Sequence, residues 1–200
     1  ILGIVGGVGA AVNHGKWVDS ALMTISVFGI SAPAFWIAII LQIVICLKFN
    51  LLPLSGIDSF KSFILPGIAL GTRYAASIAR ITRTSMLDVL SQDYIRTAEA
   101  KGLKGWVVTI KHALRNALIP IITIAGSDLG NILTGSVLVE SVFSIPGIGK
   151  MLVDSINTRD LPIVQGGVMY IAVICVIMYL VVDLLYTVVD PRIRLGKESS

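Results

Sequence analysis

Charged residues are scarce in this sequence of 200 residues. Asp, Glu, Lys and Arg make up 14% of the chain, whereas 55% of it is hydrophobic. Soluble domains carry roughly 25% charged residues, and the mean hydropathy here is +0.87. The composition therefore argues against a water-soluble globule and indicates a membrane protein.

Cysteine, histidine and enzyme motifs are equally sparse. Cys46 and Cys175 both lie in apolar runs, which excludes a disulfide framework and a CxxC metal site. His14 and His112 are isolated, without a second metal ligand nearby, and are interpreted as solvated or interfacial. The segment 147–150 is not a phosphate loop, because Met151 follows Lys150 where such a loop has Ser or Thr, and HExxH, GxSxG and GxGxxG are absent. No catalytic or metal-binding residue is predicted.

Long apolar runs dominate instead. The uncharged run between Asp19 and Lys48 exceeds the ~20 residues that cross a ~30 Å hydrocarbon core, and Pro33 within it is expected to be absorbed by the helix. The sequence predicts an all-α, polytopic membrane protein that starts partway through a helix. Its predicted spans are 1–12 (partial), 22–47, 64–84, 116–139 and 164–189.

Basic residues lie mainly on one side of these spans, in segments 13–20 and 83–115 and in the tail 190–200. By the positive-inside rule this side is cytoplasmic, which predicts a cytoplasmic C-terminus. The formal charge of +4 is scattered through apolar sequence, so nucleic acid is not an expected partner.

The cytoplasmic segment 85–115 is long and rich in charge. Asp93 is the predicted N-cap of a short helix over Tyr94–Lys101, and Gly102 is its predicted stop signal. The next stretch, 106–117, is expected to form an interfacial helix with one apolar stripe. That stripe consists of Trp106, Ile110, Ala113 and Ala117.

Glu99 lies in the last turn of the short helix, where the helix dipole disfavours an acid. Broken local rules tend to mark function, and Ala98 and Ala100 keep the surface beside Glu99 low. One interpretation is that Glu99 binds a basic or hydrogen-bonding group of a partner. The alternative is a solvated glutamate paired with Lys101 or Lys104.

These residues carry a resemblance. Thr97-Ala-Glu-Ala-Lys-Gly102, followed by His112-Ala-Leu-Arg-Asn-Ala-Leu-Ile-Pro120, resembles the EAA motif of ABC-importer permeases. In that family the motif forms a coupling helix that docks on a cytoplasmic ATPase. The sequence departs from the motif at Lys101, where the family pattern has Ala. The resemblance implies these coupling residues: Asp93, Tyr94, Arg96, Ala98, Glu99, Ala100, Lys101, Gly102, Ile119 and Pro120.

Further stretches are similar to the B-type subunit of dipeptide, oligopeptide and nickel permeases. They are Gly29-Ile-Ser-Ala-Pro-Ala-Phe-Trp36, Leu52-Pro-Leu-Ser-Gly56, Gln92-Asp-Tyr-Ile-Arg96, Val142-Phe-Ser-Ile-Pro-Gly-Ile-Gly149 and Asp190-Pro-Arg-Ile-Arg194.

The resemblance implies a type I ABC-importer transmembrane domain over 1–189, lacking the family's earlier helix and external segment, in the inner membrane of a prokaryote. The expected cargo is short peptides, with nickel or a metal chelate as the alternative. Expected partners are a second permease subunit in a heterodimer, an external binding protein, the lipid bilayer and two ATPase subunits. ATP and magnesium would be bound by the ATPase subunits, and no cofactor by this chain.

One predicted span carries a polar face, because its polar residues recur at helical spacing. These are Arg73, Ser77, Arg80, Thr84 and Asp88. Charges at membrane depth suggest a pathway, so the predicted translocation path is formed by Arg73, Ser77 and Asp128. Asp128 or Asp183 could pair with Arg73, as could a substrate carboxylate, and a structural role for Asp128 is also open. Arg80 and Arg83 are expected to snorkel to the cytoplasmic edge.

The external segment 144–161 is expected to contain a short helix over 150–156. By resemblance it would border the outer gate and receive the binding protein, and a plain connecting loop is the alternative. Two other classes of protein compete with the permease. A gradient-driven transporter would need no docking helix, and a membrane anchor for enzymes leaves the face at Arg73 unexplained.

Overall fold

A computed structural model describes residues 1–133 and 136–189 of the chain. Within them the regular elements are helical, which confirms the predicted all-α class. In chain order they are α1 (Leu2–Val12), α2 (Trp17–Ser31), α3 (Ala34–Leu41, continued by a π-helical stretch, Gln42–Lys48), α4 (Ile64–Leu90, after a 3₁₀ turn at Phe60–Phe63), α5 (Asp93–Ala100), α6 (Gly105–Val107, a π-helical stretch Val108–Leu114, then Arg115–Leu133), α7 (Val137–Val142), α8 (Ile148–Asn157) and α9 (Leu161–Val189).

Two of the described helices, α6 and α9, are long and apolar enough to cross a membrane. The pair α2 and α3 forms a third candidate if it is taken as one broken span. Helix α4 is long enough, but Arg73, Arg80 and Arg83 lower its hydropathy. Helix α1 has 11 residues, fewer than a crossing needs. Length and composition thus support up to three of the five predicted spans.

The prediction of one continuous helix over 22–47 is wrong. Helix α2 ends at Ser31, and Pro33 is the extended N-cap of α3, with φ −61° and ψ 135°. Proline has no N–H to donate and its ring collides with the preceding turn, so a helix usually ends before it. Membrane helices can tolerate such a residue, but this one breaks.

The helix expected over 116–139 also has different limits. Helix α6 begins at Gly105 and ends at Leu133, and α7 starts separately after the extended N-cap Ser136. Pro120 lies inside α6 and does not open it. The end of the charged segment 85–115 therefore continues into the apolar stretch that follows as one helix.

The chain divides into two compact units. The first contains Ile1–Val27, Ala75–Ser127 and the described residues from Tyr179 onward, and the second contains the described residues of Phe28–Tyr74 and Asp128–Met178. Each unit has its own buried cluster. The cluster of the first unit, here called the coupling core, is formed by Ala11, Met86, Ile95, Ala98, Val108, Ala113, Ala117 and Ile121. The cluster of the second is formed by Ala38, Cys46, Leu65, Ala69, Val139 and Phe143.

Candidate functional site

Helix α5 begins one residue earlier than predicted. Its N-cap is Gln92, in an extended conformation and without a side-chain cap bond, so the prediction of Asp93 as N-cap is wrong. The carbonyl of Gln92 accepts the N–H of Ile95 at 3.0 Å, which opens the helix through the backbone. Asp93 lies in the first turn, where a carboxylate favours the positive end of the dipole.

The predicted stop at Gly102 is confirmed. Its φ is +76°, and its N–H donates to the carbonyl of Glu99 at 2.8 Å. The N–H of Leu103 donates to the carbonyl of Ala98 at 3.4 Å. This pair of bonds is a Schellman motif, which satisfies carbonyls that the helix end would leave open.

The two sides of α5 differ in burial. Ile95 and Ala98 are 1% and 7% exposed and belong to the coupling core. They are three residues apart and share one helix face. The remaining predicted coupling residues around the helix are exposed: Asp93, Tyr94, Arg96, Glu99, Ala100, Lys101 and Gly102. The structure thus makes Ala98 an anchor of the helix, with Glu99 and Ala100 on its open side.

Glu99 has an exposed side chain and forms no ion pair within the described part of the chain. The alternative pairing with Lys101 or Lys104 is therefore not made. One charge pair does lie on this helix, between Asp93 and Arg96 at 3.9 Å, and exposed pairs of this kind contribute little to stability. The Glu99 carboxylate is left available to a partner.

Glu99 also lines an open groove of about 530 Å³. The other lining residues are mostly apolar and include Leu90 at the end of α4 and Trp106 at the start of α6. Trp106 is 69% exposed. A negative charge therefore borders an apolar depression next to the helix.

The prediction that 106–117 forms a helix with one apolar stripe is wrong. Trp106 and Ile110 are exposed, whereas Ala113 and Ala117 are buried. The π-helical stretch Val108–Leu114 has a wider turn than an α-helix, so its residues do not follow the 3.6-residue repeat. Ile119 and Pro120 follow in α6 and are partly buried.

Helix α4 has one polar and one buried side. Arg73, Arg80, Thr84 and Asp88 are exposed, and Ser77 is half-buried. The buried side includes Ala76, Ala79, Thr82 and Met86.

Asp128 is the acid that the structure brings toward Arg73. The two side chains interact electrostatically, although they form no ion pair within 4 Å. The Oδ2 atom of Asp128 is buried and accepts no hydrogen bond from the described residues. Asp183, the other proposed partner, is exposed on α9.

A charged cluster in the first unit escaped the sequence analysis. The Arg83 guanidinium donates to both carboxylate oxygens of Asp19, with distances of 2.6 Å from Nε to Oδ1 and 2.7 Å from Nη2 to Oδ2. His14 Nδ1 lies 3.1 Å from the same Oδ2 and 3.1 Å from Arg83 Nη2. Arg83 was expected to snorkel to the membrane edge and His14 to be isolated, but both residues contact Asp19. The available signal was Asp19, an acid at the edge of an apolar run that needs a partner.

The segment 144–161 contains the expected short helix, because α8 spans Ile148–Asn157. Glu140 of α7 accepts the N–H of Lys150 in the first turn of α8 at 2.8 Å and the N–H of Ser136 at 3.2 Å. In the same unit, the Gln42 amide donates to the carbonyls of Leu54 at 2.8 Å and Val142 at 3.0 Å. Glu140 therefore binds the start of α8, and Gln42 joins α3 to the carbonyls of Leu54 and Val142.

No group of three or more His, Cys, Asp or Glu side chains that could hold a metal ion occurs in the described residues.

Comparisons with known proteins identify the family. Residues 3–195 match the family described as "Binding-protein-dependent transport system inner membrane component". The chain is 45% identical over 194 residues to the glutathione transport system permease protein GsiC of Escherichia coli strain K12. Its identity to the GsiC of Shigella flexneri serotype 5b is also 45% over 194 residues. The GsiC of Salmonella choleraesuis is 44% identical. Each alignment covers 97% of this chain and 63% of the relative. The chain therefore belongs to the inner membrane components of binding-protein-dependent transport systems, the ABC-importer permeases that its sequence resembles.

Proposed function

We propose that this chain is the permease subunit of an ABC importer that translocates short peptides across the cytoplasmic membrane. In this proposal α5 is the coupling helix. The observation that carries the proposal is the two-sided geometry of α5, in which Ile95 and Ala98 anchor the helix while Glu99 and Ala100 face outward.

The exposed side of α5 suits docking on another protein. Ala100 is small and leaves room for close approach beside Glu99. The unpaired Glu99 carboxylate can accept charge-assisted hydrogen bonds from a basic side chain of the partner. Tyr94 and Arg96 extend the same exposed surface. We assign ATP and magnesium to two separate ATPase chains, and this chain is a transport subunit without catalytic residues.

The buried side of α5 suits transmission of motion. Ile95 and Ala98 share the coupling core with Ala11 of α1, Met86 of α4 and Val108 of α6. Closely packed interiors have few voids and transmit displacement. When an ATPase moves α5, the parts of α1, α4 and α6 in this unit would therefore move with it, as in other rigid-body switches.

The polar face of α4 supports a pathway and a second permease subunit. Arg73 is exposed on this face, and an arginine at membrane depth is costly unless it faces protein or water. A homologous permease chain in a heterodimer would cover the face, and Arg73, Ser77 and Asp128 would line the path. The C-terminal tail 190–200, outside the described residues, would be cytoplasmic.

The names of the relatives support the proposed substrate class. The matched proteins are named as glutathione transport permeases, and glutathione is a tripeptide. We therefore propose short peptides as cargo, with glutathione as the first to test. An external binding protein would deliver the peptide to the permease.

The test is a charge reversal at the coupling helix. The tagged full-length protein is co-expressed with its partner subunits, purified in mild detergent and reconstituted with its binding protein in proteoliposomes. Glu99→Arg is expected to abolish co-purification of the ATPase subunits and ATP-dependent uptake of labelled glutathione. Asp58→Arg, a reversal at an exposed acid in the second unit, is the matched control and is expected to retain ATPase binding.

Two results would contradict the proposal. Glu99→Arg with wild-type ATPase binding and uptake would remove the assigned role of α5. A wild-type protein that moves peptides without any ATPase would favour a transporter driven by an ion gradient.

A further inference from the structure

We infer that Asp19 and Arg83 form a positioning pair that fastens the connection between α1 and α2 to α4, so that motion of the coupling helix reaches α2. The inference rests on the proposed function. Neither residue belongs to the docking surface of α5 or to the candidate path. Their role would be to transmit movement within the first unit, which contains both residues and α5.

The geometry of the pair is that of a strong contact. Both oxygens of Asp19 accept hydrogen bonds from Arg83, at 2.6 and 2.7 Å. Such bidentate charge-assisted bonds fix orientation as well as distance. Asp19 is 4% exposed, and its Oδ2 also accepts the N–H of Gly15 at 3.1 Å. His14 Nδ1 completes the arrangement at 3.1 Å from this oxygen.

The pair lies at a point where movement has to pass between helices. Arg83 is on α4 about two helical turns before its end at Leu90, and α5 follows directly. Asp19 is in the first turn of α2. The Arg83–Asp19 contact therefore ties the beginning of α2 to the helix that leads into the coupling helix.

A second contact fastens α1 to the same part of α4. A Cβ atom placed on Gly7 would lie 2.5 Å from the Ala79 carbonyl oxygen and 2.5 Å from Thr82 Cβ, so the two backbones are close. Ala11, one turn further along α1, belongs to the coupling core together with Ile95 of α5. Because α1 packs on α4 and α2 is bound to α4 through Asp19, the connection between α1 and α2 cannot move independently of α4.

A role in stability alone makes a different prediction. If the pair only stabilised the fold, its loss would reduce the amount of assembled complex, and each complex that assembled would still import peptide for each ATP hydrolysed. If the pair transmits movement, assembled complexes would hydrolyse ATP without importing peptide. The ratio of peptide imported to ATP hydrolysed therefore separates the two roles.

The experiment uses the complete transporter in proteoliposomes, with labelled di- and tripeptides that include glutathione. Asp19→Asn is expected to lower the ratio of uptake to ATP hydrolysis about tenfold, a typical size for coupling between sites, with the ATPase subunits still bound. Arg83→Lys retains the positive charge without the planar fork and is expected to lower the ratio less. The charge-swapped double variant, Asp19→Arg with Arg83→Asp, is expected to recover part of the ratio. Asp58→Asn, at an exposed acid, is the matched control and should leave it unchanged.

A wild-type ratio in assembled Asp19→Asn complexes would overturn the inference. If Asp19→Asn fails to assemble, Arg83→Lys is the deciding variant. A wild-type ratio of uptake to ATP hydrolysis in Arg83→Lys would also overturn the inference. A wild-type complex without ATP-dependent peptide uptake would overturn the proposed function itself, and this inference with it. If the wild type imports peptide and the variants have a wild-type ratio of uptake to ATP hydrolysis, only the role of the Asp19–Arg83 pair is refuted and the proposed function stands.

Discussion

The N–H of Gly102 donates to the carbonyl of Glu99 at 2.8 Å, so the glycine that follows helix α5 is bonded to the exposed glutamate of its last turn. Gly102 has a φ of +76°, a left-handed conformation that costs other residues roughly 1–2 kcal/mol. The position of the Glu99 carboxylate thus depends on a glycine three residues later.

The first prediction concerns this stop signal. Gly102→Ala is expected to lower the free energy of unfolding by about 1 kcal/mol, because alanine resists the left-handed conformation, and to weaken ATPase co-purification. Gly105→Ala is the matched control, since Gly105 has open space for a Cβ and no φ constraint. Thermal unfolding and co-purification measure both effects. Equal behaviour of the two variants would contradict the role of the Gly102 conformation.

The second prediction separates anchoring from docking in α5. Ile95 is 1% exposed, and truncation of a buried isoleucine costs about 2–5 kcal/mol. Ile95→Ala is therefore expected to lower the unfolding temperature markedly and to loosen the helix. Tyr94 is 46% exposed, so Tyr94→Ala should change stability by less than about 0.5 kcal/mol while weakening ATPase binding. A stability loss of equal size in the two variants would show that the burial difference does not govern this helix.

Features with a local chemical signal could be predicted from the sequence. Uncharged runs indicated the helices, and Gly102 marked the end of α5 through its backbone conformation. The helical spacing from Arg73 to Asp88 indicated a polar face, and these charged residues are exposed on α4. In each case neighbouring residues determine the outcome.

Features that depend on distant residues or on departures from a regular repeat could not be predicted. Arg83 and Asp19 are 64 positions apart, and no local sequence pattern predicts which charged residues will pair. The π-helical stretch Val108–Leu114 shifts the buried face from the expected repeat. Pro33 could either kink or break its helix, and local sequence does not decide between these outcomes.

The third prediction tests the close packing of α1 on α4. Gly7→Ala would place a Cβ 2.5 Å from the Ala79 carbonyl oxygen, so the backbones would have to separate. A destabilisation of about 1–3 kcal/mol is expected, as for other overpacked sites. Gly6→Ala is the matched control, because Gly6 has open space for a Cβ, and alanine there should favour the helix by up to about 1 kcal/mol. Opposite shifts in unfolding temperature are expected, and a stabilised Gly7→Ala protein would contradict the close approach.

The fourth prediction concerns Arg73. Arg73→Ala is expected to reduce ATP-dependent peptide uptake about tenfold, which corresponds to the loss of roughly 1.4 kcal/mol of interaction, while membrane insertion stays normal. Arg80→Ala, on the same exposed face but nearer the end of α4, is the control and should reduce uptake less. Uptake in proteoliposomes and the protein recovered from membranes are the two measurements. Wild-type transport by the Arg73 variant would count against a place in the path.

The fifth prediction concerns Glu140, which joins α7 to α8. Its carboxylate accepts the N–H of Lys150 at 2.8 Å in the first turn of α8. A negative charge there also interacts favourably with the positive end of the helix dipole. Glu140→Gln removes that charge but leaves a carbonyl oxygen as acceptor. Hydrogen bonds to charged groups contribute about 1.5–3 kcal/mol and neutral ones about 1 kcal/mol, so a loss of about 1 kcal/mol is expected.

Because the loss is local, it should appear as faster hydrogen exchange of the first amides of α8, with little change in the core of the first unit. Asp154→Asn removes a charge from an exposed residue of the same helix and is the matched control. Faster exchange in Glu140→Gln alone would establish that the carboxylate holds the start of α8. Equal exchange in the two variants would mean that backbone bonds and the apolar contacts of Val139 and Phe143 suffice to position it.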